Sequence, residues 1–224
     1  MLAAVVVVIV VLVVVHELRP GRNPSVGGQP MLDGVGGAVW LIGTVVAILV
    51  GALAGSYDVA QGTMRYLVMT GARRMELYAA RTVALVSAVL LLLAPALLVG
   101  TIAVFAAPSM GADGVTASEL ADVLWTSTLW PLVFSLIAMG IGSLLRSNGP
   151  AIAISLIFAF VAAPILSLVD AVSSTLGDLM LLQALDRITG ADEGASIPVA
   201  AVAVAAWVIG FWAVGALRVQ RDEY

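Results

Sequence analysis

Few residues of this chain are of types that do chemistry. All ten basic residues are arginines, there is no cysteine, and His16 is the single histidine. His16-Glu17 begins like the zinc-binding motif HExxH, but Pro20 stands where the second histidine is required, so that metalloprotease site is excluded. Gly142-Ser143 lacks the flanking pattern and the histidine base of a serine hydrolase. The sequence therefore predicts that the chain is not an enzyme and binds no metal.

The complete absence of lysine also bears on nucleotide chemistry. A Walker A phosphate-binding loop requires a lysine that reaches the β- and γ-phosphates. We therefore expect no bound cofactor on this chain, and any use of ATP would depend on another polypeptide.

Composition places the chain in a membrane. Hydrophobic residues make up 62% of the chain, charged residues make up 11%, and the mean hydropathy is +1.11. Runs of about 20 apolar residues have the length that crosses a bilayer. We predict a single all-α domain over 1–224 with six membrane spans, at about 1–15, 36–56, 82–107, 123–145, 150–169 and 197–217.

The first of these runs is short, since 15 residues of helix reach only about 22 Å. If the run is a span, it thins the bilayer, unless the true start of the protein lies upstream of Met1 and lengthens it. The other alternative is a signal peptide. A signal peptide is disfavoured because no basic residue precedes the run and no small-residue cleavage pattern follows it.

The arginines predict the orientation. With six spans and an inner amino terminus, seven of the ten arginines fall on the inside, and Arg19, Arg22 and Arg187 fall outside. Cytoplasmic segments are enriched in basic residues, so both termini are expected in the cytoplasm. We expect a multi-pass protein of the cell membrane, the inner or plasma membrane, with the lipid bilayer as a partner and no nucleic acid.

The interiors of the six runs contain no ionisable residue. Carriers driven by protons or sodium usually place such residues within the membrane, although unwound backbone coordinates sodium in some of them. A self-powered carrier is therefore disfavoured.

The second run carries small residues at every fourth position. Gly43, Ala47, Gly51 and Gly55 share one helix face, and Gly51 to Gly55 is a GxxxG motif. Such a face lets another helix approach closely. That helix belongs either to the same chain or to a second copy, and the sequence leaves both open.

Another helix is predicted in the long connection between the last two runs. Leu181, Leu185 and Ile188 stand at i, i+4 and i+7, which indicates a short amphipathic helix on the outer leaflet. An ordinary ordered loop is the alternative.

The longest cytoplasmic connection covers residues 57–81 and holds a large share of the arginines. Its last part places Arg74, Tyr78 and Arg81 at i, i+4 and i+7, which predicts a basic stripe at the level of the lipid headgroups. Simple anchoring of the neighbouring span explains such a stripe equally well. Anchoring does not explain a long, broken helical segment with Met, Tyr and Leu interleaved among the charges.

The stretch GSYDVAQGTMRYLVMTGARRMELYAARTVALV resembles the region after the second span of bacterial permease subunits of the type-two ATP-binding-cassette (ABC) exporters. The likeness continues in GIGSLLRSN at the end of the fourth span, GPAIAISL at the start of the fifth, and the basic tail LRVQRDEY. It covers nearly the whole chain through loose motifs.

This resemblance implies that residues 57–81 form a cytoplasmic coupling helix that docks on a separate ABC ATPase subunit. The positions that match the pattern are Asp58, Gly62, Thr63, Arg65, Leu67, Gly71, Arg73, Arg74, Glu76 and Arg81. It further implies a second permease subunit, identical or different, and ATP with Mg on the partner ATPase. The implied function is outward movement of a hydrophobic or amphipathic substrate, such as a lipid, a peptide or a drug-like molecule.

The chain departs from that pattern in three places. Gly71 stands where proline is frequent, Arg81 stands where lysine is frequent, and no charged amphipathic helix precedes the first span. A membrane scaffold that anchors another complex without transport is the alternative function.

Overall fold

The computed structural model describes residues 11, 29–61, 73–106, 115–171, 173–190 and 196–221. Within these ranges every regular element is helical, so the prediction of an all-α protein is confirmed. The α-helices are α1 Gln29–Ala60, α2 Arg74–Ala106, α3 Ala117–Leu145, α4 Asn148–Ile157, α5 Ala163–Ser167, α6 Ser174–Gly177, α7 Leu181–Ile188 and α8 Ile197–Arg221.

Five of the described helical stretches are long and apolar enough to cross a membrane. They are Met31–Asp58, Arg74–Ala106, Ala117–Leu145, Asn148–Ser167 and Ile197–Arg221. Each covers all or nearly all of one of the five longer apolar runs, which indicates a multi-pass membrane protein. The span predicted at 1–15 lies outside the described residues, except for Val11.

The helices extend well beyond the apolar runs. Helix α1 begins at Gln29 instead of residue 36 and continues to Ala60, and α2 begins at Arg74 instead of residue 82. Hydropathy detects only apolar side chains, whereas continued helix keeps the backbone hydrogen-bonded through the membrane boundary. Much of the segment 57–81 is thus an extension of α1 and α2, and residues 61–73 connect them.

Helix α3 has well-defined ends. Thr116 and Glu119 form a capping box in which the Thr116 N–H donates to the Glu119 carboxylate (2.8 Å) and the Glu119 N–H donates to Thr116 Oγ1 (3.3 Å). At the other end Arg146 adopts a left-handed conformation (φ 58°) and its N–H donates to the Gly142 carbonyl (3.0 Å). The chain therefore turns within two residues before α4 begins.

The next span is interrupted by one π-helical turn at Phe158–Ala162, between α4 and α5. Pro164 lies two residues after this turn. A proline has no N–H, and its ring excludes the carbonyl four residues earlier, which lies within the turn. A π turn accommodates that carbonyl by shifting the hydrogen-bond pattern. By contrast, Pro95 and Pro131 lie inside the continuous helices α2 and α3.

The predicted amphipathic helix is present as α7, Leu181–Ile188. Its residues Leu181, Ala184 and Leu185 are buried, and α7 packs against α5 and α8. The prediction of a helix is confirmed, but its apolar face is covered by protein instead of lying on the leaflet.

The chain divides into two compact units. The first consists of residues 1–46 and 88–132, and the second of residues 47–87 and 133–224. In the first unit, Ser127 of α3 donates to the Gly36 carbonyl of α1 (3.2 Å). Trp40 and Trp130 pack edge to face with ring centres 5.4 Å apart. A methyl group on Gly43 would lie 2.7 Å from Leu93, so this glycine makes room for α2.

The second unit depends on backbone contact between α1 and α3. A Cβ atom on Gly51 would overlap the Ser135 carbonyl, and one on Gly55 would overlap the Met139 carbonyl. From the other side, a Cβ on Gly142 would overlap the Ala52 carbonyl. The small-residue face of α1 therefore lies against another span of the same chain at these positions.

Helix α3 makes a similar contact with α8. A Cβ on Gly140 would overlap the Phe211 carbonyl, and one on Gly215 would lie 3.1 Å from the Gly140 carbonyl oxygen. Two-thirds (67%) of the most apolar stretch of α3 is buried, against 17% for α8. In the second unit α3 is thus the helix against which both α1 and α8 pack.

These contacts predict which glycines are needed. Gly51→Ala is expected to lower the free energy of unfolding by about 1–3 kcal/mol, because the added methyl group pushes α1 away from α3. The matched control is Gly37→Ala on the same helix, where no atom lies within 4 Å of the added carbon. The control should unfold no earlier than the wild type, since alanine is the better helix former. Thermal unfolding in detergent measures both, and equal loss of stability in the two variants would contradict the packing described.

Candidate functional site

An ion pair joins the last turn of α1 to the second turn of α2, on either side of the connection 61–73. Asp58 near the end of α1 pairs with Arg81 in α2, and their side chains are 30% and 16% exposed. A carboxylate and a guanidinium held this close in partly buried surroundings attract each other more strongly than a pair in water. The pair therefore fixes the helix ends from which the connection leaves and to which it returns.

A second polar contact joins α2 to the end of α8. The Arg74 guanidinium donates to the Gln220 carbonyl (3.2 Å). The last carbonyls of a helix have no partner within the helix, and a cationic side chain satisfies them well. The start of α2 is thus connected to the carboxyl-terminal end of α8.

An aromatic contact strengthens this connection. Tyr78 is fully buried, and its ring lies 5.3 Å from that of Trp212 in α8. The Trp212 indole N–H donates to Thr82 Oγ1 (2.9 Å). Indole and hydroxyl groups buried in a protein normally have such partners. One face of α2 therefore packs against α8 over two helical turns, from Arg74 to Thr82.

A third polar contact joins α1 to α4. Ser56 is fully buried, and its Oγ lies 2.8 Å from the Ala52 carbonyl and 2.9 Å from the Asn148 side-chain amide. A hydroxyl has one proton, so it donates to Ala52 and accepts from the Asn148 NH₂ group, which is the orientation of the amide that satisfies both residues.

These contacts gather the ends of α1, α2, α4 and α8, which we call the basic end. Its described residues are rich in arginine and contain two acidic residues, Asp58 and Glu76. The arginines are Arg73, Arg74, Arg81, Arg146, Arg218 and Arg221.

The structure describes five of the ten predicted coupling residues. Asp58 and Arg81 are paired with each other, and Arg74 contacts α8. Arg73 and Glu76 form a long, exposed pair (3.9 Å, with side chains 86% and 66% exposed). The remaining ones lie outside the described residues: Gly62, Thr63, Arg65, Leu67 and Gly71.

The three residues of the predicted basic stripe contact other helices of the chain. Tyr78 is fully buried, Arg81 is paired with Asp58, and Arg74 reaches the end of α8. Each of the three residues thus has a partner on another helix, and their location at the level of the lipid headgroups stays a prediction. Among the helix-packing residues, Gly43, Gly51 and Gly55 make the close approaches described above, and Ala47 is fully buried.

Sequence reasoning missed the partners of these residues. Gln220, Trp212 and Asn148 are far away in the chain and belong to no motif. One signal for the helix packing that brings these partners together was available. Gly140 and Gly142 lie two residues apart on α3, which places them on opposite sides of the helix and indicates close contact with a neighbour on each side.

The first unit contains a cavity of about 260 Å³ between α1 and α3. Asp33, Asp122, Trp40 and Thr126 are among the residues that line it. Its carboxylates favour cations over anions. Among the residues that the structure describes, no three histidine, aspartate or glutamate side chains lie close enough to hold a metal ion.

No protein-family model fits the chain, and no curated protein is significantly similar to it.

The burial of the Asp58–Arg81 pair predicts measurable coupling. In a double-mutant cycle with Asp58→Asn and Arg81→Gln, we expect a coupling free energy above about 1 kcal/mol, since each single change leaves a partly buried charge unpaired. The exposed pair Arg73 and Glu76 is the control, and its cycle should give less than about 0.5 kcal/mol. Unfolding in detergent measures both cycles. Equal coupling in the two pairs would show that Asp58 and Arg81 do not fix the helix ends.

Proposed function

We propose that the chain is the membrane-spanning permease subunit of an ATP-driven ABC exporter in the cell membrane. Its partner ATPase subunit binds and hydrolyses ATP with Mg, and a second permease subunit completes the translocation path. The substrate is hydrophobic or amphipathic and is moved outward. The six-span topology with both termini and residues 57–81 in the cytoplasm is part of this proposal.

The observation that carries the proposal is the anchoring of the connection 61–73. Its two ends are held by Asp58–Arg81, and Arg74 adds α8 to the same assembly. A displacement applied to the connection is therefore transmitted to α1, α2 and α8 together. A segment that only anchors a span in the membrane needs no such contacts.

The surface beside the connection supports docking of a partner. Arg73 lies just before the first turn of α2, and Glu76 lies in that turn. Their side chains are 86% and 66% exposed. Their mutual distance of 3.9 Å makes a weak pair, so both charges remain available to a second protein. The basic end also agrees with a cytoplasmic location, since positive residues concentrate on that side.

The absence of lysine supports a division of labour. A transporter whose apolar runs contain no ionisable residue in their interiors and whose sequence has no phosphate-binding loop is expected to draw its energy from another protein. An ATPase subunit supplies that energy, and residues 57–81 are the segment on which it docks.

Charge reversal at the docking surface tests the proposal. In the variant Arg73→Glu, Arg74→Glu, we expect the ATPase activity that co-purifies with the tagged chain to fall about tenfold or more, because charged contacts across an interface are lost. The amount of chain in the membrane should be unchanged. The control Arg73→Lys, Arg74→Lys keeps both charges and should keep most of the activity.

Arg73→Glu alone separates docking from internal packing, because Arg74 also contacts Gln220. Unchanged ATPase activity in both charge-reversal variants would contradict the docking role. Reproducible absence of an ATPase from the gently solubilised wild type would favour the scaffold.

A further inference from the structure

A long apolar groove runs along α8 in the second unit. Its volume is about 530 Å³, which is within the range of about 300–1,000 Å³ typical of ligand sites. It is lined by Leu144, Leu179, Ala203, Ala206, Trp207, Gly210, Phe211 and Val214. From Ala203 to Val214 the helix rises about 16 Å, which gives the groove the elongated form of a hydrocarbon chain.

Aromatic residues hold one wall of the groove in place. The Trp207 indole N–H donates to the Leu179 carbonyl (3.0 Å). The Trp207 ring is stacked with Phe211 (6.2 Å), and Phe158 packs against Phe211 at 5.1 Å. The floor is open at Gly210, where no atom lies within 4 Å of an added Cβ. The groove is therefore preformed, with its width set by a missing side chain.

The same helix face ends in positive charge. Ala203, Trp207, Gly210 and Val214 are followed at the same spacing by Arg218 and Arg221, and steps of three and four residues keep a helix face aligned. Both arginines are exposed, and Arg218 lies one turn beyond Val214. Asp222 and Glu223 follow Arg221 in the sequence and offset part of this charge. Counted with them, the basic end has six arginines against four acidic residues, so it keeps a net positive charge that attracts an anion.

We propose that an anionic phospholipid occupies this groove, with an acyl chain along α8 and its phosphate at Arg218 and Arg221. Arginine is well suited to this contact, because its stem lies along apolar surface while its fork binds phosphate oxygens. The proposal does not depend on the transport function.

A second copy of the chain fits this face less well. Two copies inserted in the same direction and related by a two-fold axis through this face bring identical residues together. Arg218 and Arg221 of both copies would then meet, and like charges across an interface are unfavourable. An anionic lipid instead neutralises them.

Native mass spectrometry of the full chain in mild detergent tests the proposal, with phosphatidylglycerol as the anionic lipid and phosphatidylcholine as the neutral one. We expect one phosphatidylglycerol to bind more tightly than phosphatidylcholine. Arg218→Gln with Arg221→Gln should weaken phosphatidylglycerol binding about 30-fold, given the contribution of each basic residue near an anionic lipid surface. Arg218→Lys with Arg221→Lys keeps the charge and should lose much less.

A second pair of variants tests the groove itself. Gly210→Leu fills the floor and should reduce phosphatidylglycerol binding about tenfold or more, since it removes the space for part of an acyl chain. Ala205→Leu adds apolar bulk on the exposed side of α8 away from the groove and should leave binding unchanged. Helix content by circular dichroism verifies that both variants are folded.

Three results would overturn the proposal. They are equal binding of the two lipids, phosphatidylglycerol binding that is unaffected by Gly210→Leu, and a dimer that Gly210→Leu dissociates. The last result would place a second copy in the groove instead of a lipid.

Discussion

Contact between helix backbones is the constraint on which the second unit depends. In a bilayer, apolar side chains gain nothing by leaving lipid for protein, so helices associate through close van der Waals packing and polar contacts. Gly140 and Gly142 of α3 provide that packing on two sides, one toward α8 and one toward α1. Two glycines that are two residues apart thus determine which helices pack against α3, the most buried of the candidate spans.

The polar contacts of the basic end follow from this packing. Once α1 and α8 lie against α3, Asp58 and Gln220 come within reach of α2, which supplies Arg81 and Arg74. Each contact satisfies a charge or a carbonyl that would be costly near the edge of the membrane. The arginines of α2 therefore contribute to the position of that helix as well as to the charge of the surface.

The five candidate spans that the structure describes were predictable because a helix in lipid requires a long apolar run, and that signal is local. The packing face of Gly51 and Gly55 and the helix at 181–188 were also legible from spacing. The ends of the helices were not predictable. Helix α1 continues past Tyr57 and α2 already begins at Arg74, because backbone hydrogen bonding favours continued helix and composition does not record it.

The candidate site was predictable only in part. Spacing showed that Arg74, Tyr78 and Arg81 share a face, but not that this face turns toward α8 and Asp58, because the partners are distant in the chain. The coupling residues between Gly62 and Gly71 lie outside the described residues, and their role stays a prediction.

The π turn at Phe158–Ala162 has a mechanical consequence. Helices α1, α3 and α8 touch backbone to backbone, so none of them rotates about its axis without driving a side chain into a neighbouring main chain. They therefore form a stiff block. The span formed by α4 and α5 instead contains a turn with one surplus residue and a proline, where hydrogen bonds exchange at low cost. Bending of this span is therefore expected at that joint, while the parts of α1, α3 and α8 in the second unit stay packed against each other.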